Sequence, residues 1–440
     1  MRKRWIGWLA AIGCAAAPAL AQLQPALGGL AGGLTGGLPV LGSGPGALPP
    51  VALGDTLDGP LDRIGGLADR LSPASLLDLR RERLRTLVQD HRDLLELDDH
   101  GNPIRRGEIV GIALAPESLA RARAAGFRLI GREDAGGLGV DAVVLGVPAG
   151  SSARDAIKRL RRADPAGNYS FDPVYEPAFA RLAAGAGAVA SQGAAPPGGA
   201  IGLIDGGVAS HPAFAGIAIE QRGFAGPPRP SGHGTAVASL LVGRAGAFRG
   251  ADPGAPLLVA DVYGGSPANG SATAILNAMG WLAARGARVI NISLVGPPSP
   301  LLEAGVRALQ KRGVLIVAAV GNDGPAAPPQ YPASYPGVIA VTAVDAHDHV
   351  LIEAGRATHL DFAAPGADMA AAVNDGGWQA VRGTSFAAPL VAGSLARADH
   401  GDAAAALAAV ARAARPGRHV GRGIICDACR TPPRAMGVRE

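Results

Sequence analysis

From position 200 onward the chain alternates short, wholly apolar runs with stretches whose apolar residues recur every three or four positions. Ile201-Gly202-Leu203-Ile204 is one such run, closed by Asp205 and a glycine turn. Runs at 257–262 and 288–294 flank a helical stretch with Ser271 as its cap and Gly286 at its end. Leu302, Val306 and Leu309 mark the next helix, stopped by Gly313, and a strand follows at 314–319. Fully apolar strands alternating with helices predict an α/β fold over 200–430, a parallel sheet with helices on both faces. In such sheets chemistry gathers beyond the carboxyl ends of the strands, and Asp205 and Asn322 both fall there. Asn374-Asp375-Gly376-Gly377 reads as a hairpin turn, and an alanine-rich helix is expected near 402–414.

A smaller unit precedes this one, over 105–178. Strands at 108–114, 127–131, 140–147 and 168–175 are interleaved with a helix at 116–125, stopped by Gly126, and a second helix that Ser152 caps. The order βαββαβ is the ferredoxin-like α+β arrangement. Before it, 72–97 reads as an amphipathic helix. Ser72 is its cap, Pro73 its first residue, and Leu77, Leu84, Leu87, Val88 and Leu95 its apolar stripe. Arg80, Arg81, Arg83 and Arg85 load its early turns. Such a helix lies against a neighbouring domain, or on a membrane surface or partner.

The remaining segments carry no periodicity. Residues 181–199 are Ala/Gly/Pro-rich and mark a linker, 22–60 form a Gly/Leu/Pro-rich flexible segment with a Gly-Gly-Leu repeat, and 431–440 are a tail. Residues 1–21 have a basic start, an apolar stretch and Ala19-Leu20-Ala21, the pattern of a secretory signal peptide. The chain is therefore expected to be exported, to the periplasm or beyond. Cys14 sits in a loose imitation of a lipoprotein box that lacks the usual leucine, so lipid anchoring is not expected. No later apolar run reaches the length of a spanning helix.

The 440 residues carry a net charge of +5, spread as arginine along the chain and not gathered with aromatics, which argues against nucleic-acid binding. Cys426 and Cys429 form a Cys-x-x-Cys readable as a disulfide, a redox pair or half a metal site; export favours the disulfide. His419 adds at best a third ligand, so zinc is not expected, and His347-Asp348-His349 reads as a solvated loop.

The chemistry centres on 382–393, Arg-Gly-Thr-Ser-Phe-Ala-Ala-Pro-Leu-Val-Ala-Gly. Gly383 opens a tight turn into a helix with Ser385 at its start and Pro389 expected in or near the first turn. Ser231-Gly232-His233-Gly234 places a histidine at the mouth of an apolar helix, and Val320-Gly321-Asn322 ends a strand with an amide donor. Singly, each has a plain structural reading: Ser385 as a helix cap, Asp205 as a turn residue, His233 as a polar helix start. Together they give Asp, His, Ser, one of the chain orders in which that catalytic set recurs. The Gly-x-Ser-x-Gly elbow of α/β-hydrolases is absent.

At these motifs the chain resembles the subtilisin-like serine proteases, the subtilases, over roughly 198–430. The resemblance implies a cofactor-free serine endopeptidase acting on polypeptides, with Ser385 as nucleophile, His233 as base, Asp205 as its orienting acid and Asn322 in the oxyanion hole. Ser293, Leu294 and Val295 would line the substrate, with Ala319 and Gly321 on the facing wall. Two positions depart from the family pattern: Gly206 replaces the usual Ser or Thr and is expected to loosen its turn, and Val295 replaces a more frequent glycine. No insertion before Ala251-Asp252-Pro253 resembles the family's calcium loop, so calcium is not indicated. Residues 420–425 resemble the strand that closes subtilase domains. The 105–178 unit is similar in topology and position to an inhibitory propeptide, or else is an unrelated accessory domain. A zymogen of this kind cuts itself, expected within 181–199, where Ala and Ser favour a small residue before the bond. The rival functions are a catalytically silent subtilase-fold binding module of the envelope, and an accessory that cleaves only itself.

Overall fold

The computed structural model describes residues 72–133, 135–177, 188–190 and 199–438. The leader at 1–21, the Gly/Leu/Pro-rich segment at 22–60 and most of the 181–199 linker lie outside the described residues. Helix α1, Pro73–Asp90, is capped by the Ser72 hydroxyl and buries Leu76, Leu84 and Leu87. It stops short of the expected 97. Asp98 accepts from the backbone N–H groups of His100 and Asn102, a local bond set that closes the turn at 98–102. Leu95–Leu97 (β1) and Pro103–Arg105 (β2) consequently pair as an antiparallel hairpin, with Leu95 buried in it.

Next come Glu108–Ile112 (β3), Pro116–Ala124 (α2), Arg128–Glu133 (β4), Ala142–Gly146 (β5), Ala153–Ala163 (α3) and Tyr169–Ser170 (β6). Their sheet runs β4-β5-β3-β6 and is antiparallel throughout, the ferredoxin-like order that the sequence predicts. Phe127, Leu145, Ala156, Ile157 and Leu160 fill its core. The last strand is shorter than the 168–175 expected. Glu176–Pro177 (β7) leaves this sheet and pairs with the larger domain.

That domain contains Ile201–Asp205 (β8), Ile219–Gly223 (β9), Gly232–Val242 (α4), Leu257–Asp261 (β10), Ala272–Ala284 (α5), Val289–Ile292 (β11) and Leu294–Val295 (β12). Pro300–Lys311 (α6), Leu315–Ala319 (β13), Ile339–Val344 (β14), Phe362–Pro365 (β15), Met369–Ala372 (β16), Trp378–Val381 (β17), Thr384–Ala398 (α7) and Ala403–Ala413 (α8) complete it. The sheet order is β15-β14-β13-β11-β8-β10-β9, and every pairing is parallel. Leu203, Val259 and Val317 face one way, into a core shared with α4 and α7. Ile204, Ile290 and Ile316 face the other, against α5 and α6. Each such side chain contributes about 1.5–3 kcal/mol by leaving water. Burial on both faces is why these strands read as unbroken apolar runs.

The hairpin β16–β17 turns at Asn374–Gly377 as expected. The strand expected at 420–425 is reduced to single bridges, Ile424 to Ala363 and to Arg415.

Candidate active site

Asp205 ends β8, and His233 lies in the first turn of α4. Ser231 caps that helix by accepting from Gly234 N at 2.8 Å. His233 Nδ1 stands 2.9 Å from both carboxylate oxygens of Asp205. Asp205 Oδ1 also accepts from Gly206 N at 2.7 Å, and both side chains are buried. A carboxylate in this position keeps the proton on Nδ1 and leaves Nε2 as the basic nitrogen. His233 Nε2 is buried without a hydrogen-bond partner among the described residues. The expectation of a loosened turn at Gly206 is corrected here. A Cβ at 206 would lie 2.3 Å from Ser231 Oγ and 2.7 Å from Ser231 Cβ, so the cap serine fills that space and the turn is tight.

Ser385 is the second residue of α7, and the ring of Phe386 beside it lies 5.6 Å from the His233 imidazole. Ser385 Oγ donates to Ser293 O at 3.3 Å, and the Ser293 hydroxyl donates back to Ser385 O at 2.9 Å. Pro389 lies inside α7, beyond the first turn where it was expected. It has no N–H to offer the carbonyl four residues earlier, that of Ser385, and Ser293 supplies the missing donor. Asn322 Oδ1 accepts from Thr384 N at 2.9 Å, while Thr384 Oγ1 accepts from Gly321 N at 3.1 Å. These bonds orient the amide so that Asn322 Nδ2 is buried with no partner among the described residues. A base, a hydroxyl and an unpaired donor thus converge, the elements of acyl transfer.

Comparison with known proteins gives the same reading. A profile described as Peptidase_S8, Subtilase family, matches residues 197–411. Subtilisin Savinase of Lederbergia lenta is 34% identical over 206 residues, 44% of this chain and 74% of that protein. The chain belongs to the subtilase family. Thermitase of Thermoactinomyces vulgaris is 33% identical over 202 residues, which span 44% of this subtilase and 72% of thermitase. The crystal structure of fervidolysin from Fervidobacterium pennivorans shares the fold, with a TM-score of 0.61 at 19% identity, covering 75% of this chain and 61% of fervidolysin. The subtilase is a serine endopeptidase.

A strand from the α+β unit runs along β12. Leu294 and Val295 pair antiparallel with Pro177 and Glu176, and on the opposite side Tyr175 N donates to Gly270 O at 2.7 Å. Tyr175 is fully buried and its hydroxyl donates to Pro297 O at 2.6 Å; burial holds that phenol well above its ordinary pKa, so it stays a donor. Helix α1 lies beside this strand. Arg83 bridges Glu176 at 3.3 Å and Asp323 at 2.9 Å, and Arg80 reaches Asp323 at 3.1 Å. Burial works against the Arg83 charge, but Glu176 and Asp323 outweigh it and raise its pKa.

Of the residues proposed from sequence, Asp205, His233, Ser385, Asn322 and Ser293 converge. Leu294 and Val295 pair with β7, and Ala319 and Gly321 form the segment leading to Asn322. Cys426 and Cys429 are joined as a disulfide, with Cys429 buried in the main core. No cluster of three or more metal-ligating side chains occurs among the described residues, and none of their helices is long and apolar enough to cross a membrane. Sequence reasoning missed Thr384, Ser231 and Asn291, whose Nδ2 donates to Ser293 Oγ at 2.9 Å. Thr384 and Ser231 lie inside the quoted motifs, so position beside a reactive residue was the available signal. Arg80, Arg83 and Asp323 were missed for want of any local pattern.

Proposed function

We propose that this subtilase hydrolyses peptide bonds through Ser385, His233 and Asp205, and that it is exported as a zymogen that processes itself. In this reading the Ser385 hydroxyl turns from Ser293 O to His233 Nε2, gives up its proton there and attacks the substrate carbonyl. Asp205 holds the tautomer and stabilises the imidazolium. Asn322 Nδ2 and the Ser385 N–H bind the tetrahedral oxyanion. The imidazolium then protonates the leaving amine, and water repeats the sequence on the acyl-enzyme. The observation that carries the reading is the buried, unpartnered His233 Nε2 on an imidazole whose other nitrogen is fixed by Asp205. The disulfide reading of Cys426 and Cys429 suits export, and neither a cofactor nor a metal enters the scheme.

The N-terminal α+β domain acts here as an inhibitor in the cleft. In this reading its β7 strand, antiparallel to Leu294 and Val295, takes the place of a substrate's acyl side, and Ser293, the residue before Leu294, holds Ser385. The bond cut in this reading follows Pro177, ahead of the 181–199 segment that composition favours. A fluorophosphonate probe applied to wild type and Ser385→Ala, with the N-termini of both sequenced, tests both parts. Equal labelling removes Ser385 as nucleophile. A wild type that stays joined past residue 199 yet digests added peptides makes the α+β domain an accessory.

A further inference from the structure

The wall of the cleft next to Ser385 carries a side chain where access to an acyl-side residue is needed. Val295 pairs with Glu176 on its backbone and is itself buried, 5% exposed. Its Cγ1 lies only 3.3 Å from the position a Cβ on Gly321 would take, and Gln330 Cγ lies 3.3 Å from the same point. The two walls that lead to Ser385 and Asn322 therefore touch. They are also fixed in place: Gly296 and Tyr331 exchange two backbone hydrogen bonds of 3.0 Å, tying the Val295 segment to the Gln330 loop. The cavity remaining beside Val295 and Gln330 has a volume of about 10 Å³, no more than one water's worth. Arg80 and Leu84 of α1 close its outer side. Departure of that helix opens the outer side only, because the neck between Val295 and Gly321 is built from residues after 200.

We propose that Val295 closes the pocket for the residue whose carbonyl is attacked, so that the enzyme cuts after alanine or glycine and rejects large side chains. The proposal rests on the catalytic assignment above and names its substrate class. A methyl needs no pocket beyond van der Waals contact with Val295, whereas leucine or phenylalanine must displace it from a packed wall, which costs on the order of 1–3 kcal/mol.

The test uses the full chain, allowed to process itself to completion, on peptides differing only in Ala, Val, Leu or Phe before the scissile bond. The expected kcat/KM for alanine exceeds that for phenylalanine by at least ~10²-fold, the scale on which a filled pocket discriminates. Val295→Gly is expected to raise the ratio of phenylalanine to alanine cleavage by roughly 10–100-fold. Val295→Ala, which keeps a Cβ in the strand, should move selectivity the same way by a smaller factor if the glycine variant fails to fold. Wild type that cuts after phenylalanine or leucine as fast as after alanine overturns the closed pocket and leaves the catalytic assignment standing. Failure of every peptide together with loss of Ser385-dependent probe labelling overturns the assignment itself, and this proposal with it.

Discussion

Ser293 and Ser385 hold each other at two points, hydroxyl to carbonyl in both directions, at 3.3 and 2.9 Å. One bond exists because Pro389 leaves the Ser385 carbonyl without its helical donor. The other holds the Ser385 hydroxyl on Ser293 O. Removing the Ser293 hydroxyl strands a buried carbonyl at the start of α7, a loss of about 1–3 kcal/mol. Ser293→Ala should therefore lower urea stability by that amount. It should also reduce kcat more than it raises KM, because Ser385 loses its anchor. A variant as stable as wild type would show that water or a shifted backbone replaces the bond.

Asn322→Ala is expected to lower kcat by roughly 10²–10³-fold with little change in KM, the usual cost of one donor to a tetrahedral oxyanion. Stopped-flow or steady-state kinetics on a small chromogenic peptide measures this. A change confined to KM would mean that Asn322 binds substrate in its ground state.

Arg80 and Arg83 join the helix before the α+β domain to Asp323, the residue after Asn322, and Arg83 also holds Glu176 of β7. Two guanidiniums shared by two acids, with Asp323 only 6% exposed, are worth more than surface ion pairs. The Arg80→Gln, Arg83→Gln double variant should release the α+β domain, the proposed inhibitor, at least ~10-fold faster. High salt should speed wild type less, since buried pairs are poorly screened. Progress curves of activation at low and high salt give both numbers. Identical curves for variant and wild type would confine the hold to the strand alone.

Asp172 gives the contact between the α+β domain and α5 a pH dependence. Its carboxylate accepts from Thr273 N at 3.1 Å and Thr273 Oγ1 at 2.6 Å. Burial, with Glu108 adding and Thr273 and Arg105 opposing, pushes its pKa up to about 6. The folded pKa is raised, so Asp172 is accommodated best below the ordinary carboxylate range, and stability is lost as pH rises through about 6. In full-length Ser385→Ala, unfolding free energy should fall with pH over that window by up to about 3 kcal/mol relative to the Asp172→Asn form. Parallel pH profiles for the two would mean that the Thr273 donors fully offset the burial.

The parts of this protein legible in sequence are those whose energetics are local or two-sided. Strands such as β8 and β11 are buried on both faces and show as apolar runs, and Ser72, Ser152 and Ser271 announce their helices by capping them. The edge strand β9, Ile-Glu-Gln-Arg-Gly, is largely half-exposed and has no run to show. Strands β14 and β15 are apolar runs that were simply not picked out. The chain at 168–175 reads as one strand because pairing partners are not encoded locally; Ser170 ends in one sheet and Glu176 in another domain's cleft. Likewise Pro389 reads as a first-turn proline until the partner of the Ser385 carbonyl is seen. The reactive set was legible because its residues sit in motifs, and the arginines of α1 were not, because their partner Asp323 is remote in sequence.

The contact between Gly206 and Ser231 limits how this sequence can drift. A hydroxyl-bearing residue at 206 needs the volume that the Ser231 side chain holds, and Ser231 cannot yield without uncapping the helix that carries His233. Neither position can change alone without cost. Single-site libraries scored for folding should find Ser or Thr at 206 disfavoured on this background, and accepted once Ser231 becomes glycine, which keeps most of the capping preference. In a lineage of such sequences the two positions would exchange as a pair, so a designer restoring the more usual residue after the aspartate must alter both.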